Sequence, residues 1–336
     1  MGKMKLYKNI FGIIAVSLMT VLAMPLLASA QTDSTAQGLQ VSPARVELNA
    51  TRGKTYTINL KVINVTAATL EYNTSVADFN ASDETGSPHL LEDSNLPATA
   101  SIKSWVSEFP SFELASQQEK NLDVQITIPN NAEAGGHYGV LRFSGSEPNV
   151  VGTGVGLSAS AGVLMLIRVD GAITEKASLA SFFTAGSDGK QNSFFENSPI
   201  TFVTRVKNDG NVHIKPVGNV QVTDMFGGVV TTLQVNSEVS NVLPSSIRRF
   251  ESNMDKPWMF GLYTANLTVG YGMTGQAITN TITFWVIPYK IILAGLFIIA
   301  TIVFILKRML KVYNKRIIEN HKNENSKNKN NSKKKG

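Results

Sequence analysis

Three glycines and a histidine stand just ahead of an apolar run in the segment AGGHYGVLRF at residues 134–143. Glycine-rich turns beside a histidine are typical of loops that hold a phosphate or an oxyanion. They are equally typical of a β-protein whose chain turns sharply between strands. A second cluster, GTGVG at 152–156, opens onto a β-type run and not onto a helix. Because a phosphate loop needs a helix N-terminus, the structural interpretation is favoured.

Other residues that could do chemistry are few. The four histidines, His89, His137, His213 and His321, lack the spacing of zinc ligands. Residues 78–84 alternate oxygen-bearing side chains as a calcium loop does, but the glycine and the distal glutamate of such a loop are missing, and a plain polar loop is the alternative. There is no cysteine and no Gly-x-Ser-x-Gly elbow. The sequence therefore predicts no catalytic residue, no metal, no cofactor and no enzyme.

The N-terminal residues 1–30 have the composition of a secretory signal peptide. Three lysines precede an apolar run from Ile10 to Leu27, and Ala28 and Ala30 form a small-x-small cleavage site. We predict cleavage after Ala30, followed by a linker at 31–40; an uncleaved N-terminal anchor is the alternative. In both cases the middle of the chain is exported.

A second apolar run, Ile291–Leu306, is long enough with its flanks to span a bilayer. We predict a transmembrane helix at 287–306, with Trp285 and Tyr289 at its outer edge, where amphipathic rings prefer the headgroup layer. Residues 307–336 hold eleven Lys/Arg against two glutamates. This basic tail satisfies the positive-inside rule, so we predict a cytoplasmic, disordered tail and a single-pass protein of the cell membrane with extracellular N-terminal domains. A stop-transfer flank without any binding role is the simplest interpretation of the tail.

The formal net charge of +6 misrepresents the exported part. Without the three signal lysines and the charges of the tail, 17 basic and 23 acidic residues remain in 31–306, a net charge of −6. An acidic exterior offers no electrostatic footprint for nucleic acid, so no nucleic-acid partner is expected.

Period-two alternation of apolar and polar residues runs through the exported part. TYTINLKVINV (55–65), NLDVQITIP (121–129) and LYTANLTVGY (262–271) each place apolar side chains on one face. Such patterns predict half-buried strands of packed antiparallel sheets, and short strands between Gly, Pro and Asn turns favour β-sandwiches. We predict an all-β fold with two tandem Ig-like β-sandwiches, at 41–175 and 176–286, followed by the transmembrane helix.

The two halves share landmarks. Each has an early strand that closes on an asparagine turn, and each later has Gly-x-Tyr leading into a strand, at Gly136-His137-Tyr138 and at Gly261-Leu262-Tyr263. One sandwich plan used twice explains both, with an insertion in the first half at Asp78–Pro110. The tyrosines are candidates for a tyrosine corner, in which the hydroxyl bonds to nearby backbone. His137 is then expected to be a solvated turn residue that alanine can replace.

At these residues the chain resembles a family, the WxL-interacting surface proteins of Gram-positive bacteria. The first half carries the resemblance in VSPARVEL (41–48), the long segment at 119–143 and GTGVGLSASAGVLMLIRVDG (152–171), and the second half looks like a generic bacterial Ig-like repeat. The resemblance implies a wall-associated, non-catalytic adaptor. Its first sandwich would bind peptidoglycan of the cell wall and its second a surface protein partner, in adhesion to the wall.

Two further interpretations concern binding. An extracytoplasmic chaperone or assembly factor for exported proteins would offer an open sheet edge for β-strand addition, and the apolar hairpin Val155–Val169 is the candidate edge. Trp105, Phe109 and Phe112 crowd around Pro110 and are candidate binding aromatics. Packing inside the sandwich is the alternative for these three side chains. The sequence specifies neither the ligand nor the oligomeric state.

Overall fold

The computed structural model describes residues 38–92, 96–147 and 158–333. The predicted signal peptide with Ala28 and Ala30, nearly all of the linker at 31–40, and the glycines at 152–156 lie outside the described residues. Between these bounds the chain is mostly β-strand, as predicted, and folds into two sandwiches followed by one long helix.

The first sandwich contains nine strands in two sheets. They are β1 (Leu39–Ser42), β2 (Arg45–Ala50), β3 (Thr55–Asn64), β4 (Leu70–Ala81), β5 (Pro88–Leu91), β6 (Phe112–Leu114), β7 (Glu119–Thr127), β8 (Gly135–Ser146) and β9 (Ser158–Val169). One sheet has the order β1-β3-β7, and the other has the order β2-β9-β8-β4-β5, with β6 also paired to β4. The N-terminal segment thus contributes β1 to one sheet and β2 to the other.

The second sandwich contains eight strands. They are β10 (Ala177–Ala185), β11 (Phe194–Phe195), β12 (Ile200–Asn208), β13 (Val217–Asp224), β14 (Val229–Val235), β15 (Ile247–Met254), β16 (Gly261–Tyr271) and β17 (Gln276–Val286). Its sheets have the orders β10-β12-β15 and β11-β17-β16-β13-β14. Apart from β6, this order repeats the first sandwich, since β10, β12 and β15 correspond to β1, β3 and β7.

Two buried asparagines show how closely the plan is repeated. Asn64 ends β3 and donates from its side-chain amide to the carbonyls of Ala68 and Leu114, at 2.8 and 2.9 Å. Asn208 ends β12 and donates to the carbonyls of Val212 and Val242, both at 2.8 Å. Each side chain closes its strand on a turn by satisfying carbonyls that the sheet leaves free.

Alternating burial builds two separate cores. In β7, Leu122, Val124 and Ile126 are buried while their neighbours are exposed, which is the predicted half-buried pattern. One core extends from Ala50 to Val169 and the other from Phe182 to Val286. The segment between β4 and β7 contains β5, a short 3-10 turn (Ile102–Ser104) and β6, where the sequence predicted an insertion.

The helix α1 (Tyr289–Lys333) begins directly after Pro288. It is long and apolar enough over Tyr289–Lys315 to cross a membrane, with a mean hydropathy of 2.5 in an 18-residue window of that range. The structure differs here from the disordered tail predicted for 307–336, because the helix continues to Lys333. No proline or glycine occurs between Lys307 and Lys333, so nothing in the sequence forces the helix to end there.

Candidate functional site: the domain interface and an open strand edge

The Gly136–Tyr138 segment lies near the start of β8, at the junction of the two sandwiches. A Cβ atom on Gly136 would overlap the Tyr138 hydroxyl, so only glycine lets that side chain fold back along the strand. The backbone N–H of Gly136 donates to the carbonyl of Asn211 at 2.8 Å. The hydroxyl of Tyr138 accepts from the backbone N–H of His213 at 2.7 Å. Both bonds join the first sandwich to the second.

His137 is buried, contrary to the expectation of a solvated turn residue. Its side chain is 5% exposed. Its Nδ1 lies 2.8 Å from the carbonyl of Ala100, its Nε2 lies 2.9 Å from the carbonyl of Glu133, and its ring centroid is 4.6 Å from that of Trp105. Because β8 already starts at Gly135, His137 lies within the strand and points inward.

The two Gly-x-Tyr tyrosines use their hydroxyls differently. Tyr263 accepts from the backbone N–H of Phe260 at 3.0 Å and donates to the carbonyl of the same residue at 3.3 Å. That is the local bond of a tyrosine corner. Tyr138 instead bonds to a residue 75 positions away. The corner contact therefore occurs at Tyr263, and Tyr138 is an interdomain contact.

Burial sets the protonation of this junction. Desolvation raises the pKa of Tyr138. Desolvation also lowers the pKa of His213 from 6.5 to about 4, opposed by the nearby carboxylate of Glu47 and reinforced by Lys215 and other cations. His213 is therefore neutral at pH 7, and its Nδ1 can accept from the Tyr138 hydroxyl, 3.3 Å away.

Two acidic side chains of the first sandwich reach cations of the second. The Glu84 carboxylate accepts from Nε of Arg205 at 2.7 Å and also from Nη2 of that guanidinium, while its carbonyl accepts from the backbone N–H of Arg249 at 2.9 Å. The hydrogen bond from Arg205 lowers the pKa of Glu84. Glu47 forms an ion pair with Lys215 and accepts from the side-chain amide of Asn241 at 3.0 Å. These contacts fix the two sandwiches against each other.

A cavity of about 510 Å³ lies between the sandwiches beside the Gly136–Tyr138 segment. Leu243 and Ser245 line it from the second sandwich. The carboxylate of Asp78, which also lines it, accepts from the Ser101 hydroxyl at 2.6 Å and the Ile102 N–H at 3.0 Å. Both carboxylate oxygens of Asp78 thus accept hydrogen bonds from within the protein.

The residues of the possible calcium loop do not converge. Asp78 is bonded to Ser101 and Ile102, and Glu84 is bonded to Arg205. Over residues 38–92, 96–147 and 158–333, no group of three or more His, Asp or Glu side chains is arranged to hold a metal ion.

Of the three candidate binding aromatics, two lie in the first core. Trp105 is 1% exposed, and its Nε1 donates to the carbonyl of Ala98 at 2.8 Å. Phe112 is buried and stacks on Tyr72 with ring centroids 5.7 Å apart. Phe109 is half-buried against the same core. The burial of Trp105 and Phe112 agrees with the packing alternative, and a binding role for Phe109 stays a prediction.

The candidate strand edge is open along half of its length. β8 pairs with β9 from Ser158 to Val169, whereas on the other side β2 pairs only with Leu164–Val169. The cause is the switch of the N-terminal segment between sheets, because β1 pairs with β3 and cannot also extend β2. In the part of the chain that the structure describes, no strand pairs with the outer side of Ser158–Val163.

The backbone groups that face this open side can be assigned. The N–H of Leu164 donates to the carbonyl of Ala44 at 3.0 Å, so it points toward the β2 side. Backbone groups alternate in direction along a strand, and the β8–β9 register is unbroken. The N–H and C=O groups of Ser160 and Gly162 therefore point outward at the open half of the edge. Both residues are also exposed.

The apolar pattern of the sequence indicates this edge but not the interface between the sandwiches. Val155–Val169 was the predicted edge, and its described part is β9, open over Ser158–Val163 and closed by β2 beyond. The contacts Tyr138–His213 and Glu84–Arg205 join residues 75 and 121 positions apart, and no local pattern indicates such pairs. The glycine before Tyr138 was the only local signal of a close approach.

The sequence matches no protein-family model and no curated protein sequence. Among solved structures, the chain is similar to the YadV chaperone, with 10% identity, a TM-score of 0.36 and coverage of 74% of this chain and 100% of that chain. It is also similar to the class 5 fimbriae chaperone CfaA, with 12% identity, a TM-score of 0.38 and coverage of 73% and 98%. The E. coli chaperone DraB shares 16% identity, a TM-score of 0.35 and coverage of 74% and 96%. At this distance the likeness says nothing about what this chain binds.

Proposed function

We propose that the chain is a non-catalytic, membrane-anchored exterior protein whose first sandwich binds an exported protein by β-strand addition along Ser158–Val163. The observation that carries the proposal is the half-open edge of β9. In strand addition, backbone hydrogen bonds supply affinity, and pockets for alternate side chains supply specificity. Ser160 and Gly162 offer a row of such groups on one side of a strand whose other side is already paired.

The composition of the edge suits an added strand. Natural edges are usually protected by charges, prolines or bulges, and Ser158–Val163 has none of these. The side chains of Ser160, Ala161 and Gly162 are small, so an incoming strand meets little steric resistance. Ala159 and Val163 are buried beneath the edge, so an added strand would extend a sheet that already covers a core.

The second sandwich provides an internal comparison. β11 pairs with β17 only at Trp285 and Val286, so Gln276–Phe284 is also unpaired on that side among the described strands. The exposed side chains there are mainly threonine and asparagine. The proposal commits to β9, and the β17 edge is the matched control.

The proposed topology rests on α1 and on the basic residues that follow its apolar part. α1 would span the cell membrane once, with the sandwiches outside and the basic residues after Leu306 inside. A binding edge in the first sandwich would then be presented away from the membrane on a two-domain support. The contacts of Glu84 and Glu47 with the second sandwich would keep that support rigid.

The experiment places a photo-crosslinking amino acid at Ser160 in the full chain on intact cells. The expected result is a crosslink to an extended segment of one exported protein. A peptide of that segment should then bind the full chain, and Ser160→Pro should weaken its binding about tenfold, because it removes one outward N–H.

Thr281→Pro is the matched control. The N–H of Trp285 donates to the carbonyl of Ser193, so by alternation the N–H of Thr281 faces the open side of β17. This variant should leave peptide binding unchanged. Equal weakening by both variants, or none by Ser160→Pro, would contradict the proposal.

The wall-adaptor role implied by the family resemblance remains a separate hypothesis, with peptidoglycan or another cell-wall polymer as ligand. It is tested by retention of the detergent-solubilised full chain on purified cell wall. Retention that Ser160→Pro does not alter, together with no crosslink from position 160, would favour the adaptor over strand addition.

A further inference from the structure

One end of the second sandwich lies beside the start of α1. β17 ends at Val286, which is paired with Gly261 at the start of β16, and α1 begins at Tyr289. Two residues separate strand and helix, and extended chain spans at most about 3.5 Å per residue. Any membrane that α1 crosses therefore lies close to this end of the sandwich.

The same end carries the most exposed aromatic side chains outside α1 among the described residues. Phe226 is 89% exposed, Trp258 is 81% exposed and Phe260 is 62% exposed. Phe226 lies in the turn after β13, whose last residue, Asp224, pairs with Tyr263 near the start of β16. Trp258 and Phe260 lie in the loop that leads into β16. Strand register thus brings both aromatic segments to the end where α1 starts.

The two aromatic segments touch each other. A Cβ atom on Gly261 would overlap the terminal methyl group of Met225, so the side chain of Met225 lies across the start of β16. Val229, which begins the next strand, is also exposed. These exposed apolar residues share this end of the sandwich, which is here named the aromatic end (Met225, Phe226, Val229, Trp258 and Phe260). Single exposed apolar residues are ordinary, but a contiguous cluster marks an interaction site.

Both segments are held rigidly with their aromatic rings outward. The Asp224 carboxylate accepts from the backbone N–H groups of Phe226 and Gly228, at 2.9 and 2.8 Å. The Tyr263 hydroxyl holds the backbone of Phe260, and Met259 between the exposed rings is buried. The exposure of these rings is therefore a property of an ordered surface.

The entry into α1 is also fixed. The N–H of Ile287 donates to the carbonyl of Phe195 at 2.8 Å, and Lys290 forms an ion pair with Glu196 at 2.6 Å. The helix thus starts in a defined position beside the aromatic end. Trp and other aromatic side chains favour the headgroup layer, because their apolar rings can contact lipid there while their polar groups stay hydrated.

We propose that the aromatic end inserts into the headgroup layer of the membrane that α1 spans, and seats the second sandwich on the lipid surface. This inference rests on the proposed anchoring by α1. The opposite end of the second sandwich supports the assignment by contrast: the β16–β17 turn presents only Met273 as a strongly exposed apolar side chain. Insertion would restrict the tilt of both sandwiches and keep the open edge of β9 at a fixed height.

The experiment uses the full chain in nanodiscs of phosphatidylcholine and phosphatidylglycerol. The chain has no cysteine, so a single environment-sensitive fluorophore can be attached to Lys256→Cys in the Trp258 loop. Replacing the lipids by brominated ones is expected to quench this label by about half, as for a group at the headgroup boundary. A label on Met273→Cys, at the far end of the same strand pair, is expected to stay unquenched.

Two further variants separate the possible failures. A label on Leu296→Cys reports whether α1 is in the bilayer. The combined change Phe226→Ser, Trp258→Ser and Phe260→Ser should abolish quenching at position 256 but not at 296, and Met273→Ser should change neither. Because the three rings are exposed, the melting temperature should not move.

Quenching at 296 without quenching at 256 would overturn the lipid contact and leave the anchor intact. No quenching at 296 would overturn both. The label at 256 could also be quenched neither by bromolipid nor by aqueous iodide. That result would mean that protein, such as a second copy of the chain, covers the aromatic end, and it would overturn the proposal as well.

Discussion

The segments Gly136-His137-Tyr138 and Gly261-Leu262-Tyr263 lie at the starts of corresponding strands in two sandwiches of the same plan, one residue out of step, and they do different work. Each begins the strand that lies next to the last strand of its sandwich. Tyr263 bonds to the backbone three residues away, whereas Tyr138 bonds to the backbone of the neighbouring sandwich. The difference shows that a repeated local motif can close a loop at one end of the molecule and join two domains at the other.

The register and the surroundings of each tyrosine explain the difference. Tyr138 stands one residue later in its strand than Tyr263 does, so it takes the other face. The start of β8 meets the second sandwich, where His213 and Asn211 supply partners. The start of β16 lies at the end where α1 begins, and in the described part of the chain no further domain follows there. Its tyrosine therefore orders the loop that carries Trp258 and Phe260.

The largest effect that we expect is the weakening of the junction at Tyr138 by acid. His213 has a pKa lowered to about 4, while in the unfolded chain it titrates near 6.5. The unfolded state thus binds more protons in this window, and stability is lost as the pH falls from 6.5 to 4, by about 3 kcal/mol. Urea unfolding of the full chain in detergent at several pH values measures this loss.

His213→Gln is the control for that profile, because it keeps the backbone N–H but does not titrate. Its stability should vary less between pH 6.5 and 5. The carboxylates of Glu84 and Glu47 have lowered pKa values, so the stability that they provide is lost only as the pH falls below their ordinary value of 4.5. A profile as steep as that of the unsubstituted chain would show that His213 is not the responsible group.

His137→Ala should be the next largest effect. It removes the one N–H that a neutral imidazole donates, to the carbonyl of Ala100 or of Glu133, and opens space against Trp105, at a cost of about 2 kcal/mol to the first sandwich. Leu262→Ala, at the middle residue of the other Gly-x-Tyr segment, should cost about 1 kcal/mol because Leu262 is only half-buried. Thermal unfolding measures both, and equal effects would remove this part of the contrast.

Tyr138→Phe removes the hydroxyl that accepts from the His213 N–H and donates to its Nδ1, and we expect a loss of about 1 kcal/mol. Its distinctive effect should be faster hydrogen exchange at the amide of His213, which loses its acceptor. Tyr263→Phe should cost a similar free energy but change exchange only at Phe260. Faster exchange at His213 in both variants would contradict the division of roles.

Glu84→Gln should have the smallest effect. The pair with Arg205 is about one-third exposed on each side, so the loss should be about 0.5–1 kcal/mol and should shrink at high salt. The distribution of relative orientations of the two sandwiches, measured by small-angle scattering, should broaden slightly. A salt-independent loss larger than that of Tyr138→Phe would mean that this pair, and not Tyr138, dominates the interface.

Much of the architecture could be predicted from periodicity. The alternating segments around Tyr56, Leu122 and Leu267 are β3, β7 and β16. Strict alternation of apolar and polar residues is typical of a strand with one face buried. The repeated asparagine turns at Asn64 and Asn208 are closed by equivalent hydrogen bonds. Local sequence therefore specified the strands and their repetition.

The site could be predicted only in part. His137 was expected to be solvated because a turn was placed where β8 already runs, and one residue of register decides which face a side chain takes. The partners of Tyr138 and Glu84 are distant in sequence, so only the packed structure reveals them. The apolar hairpin drew attention to β9, but its half-open edge depends on where β2 stops pairing.

The open edge of β9 is tested most directly by hydrogen exchange of single amides in the full chain without a partner. The account predicts fast exchange at Ser160 and Gly162, whose N–H groups face outward, and slow exchange at Ala161 and Val163, whose N–H groups face β8. Slow exchange at all four amides would show that the edge is already covered and would contradict strand addition at this site.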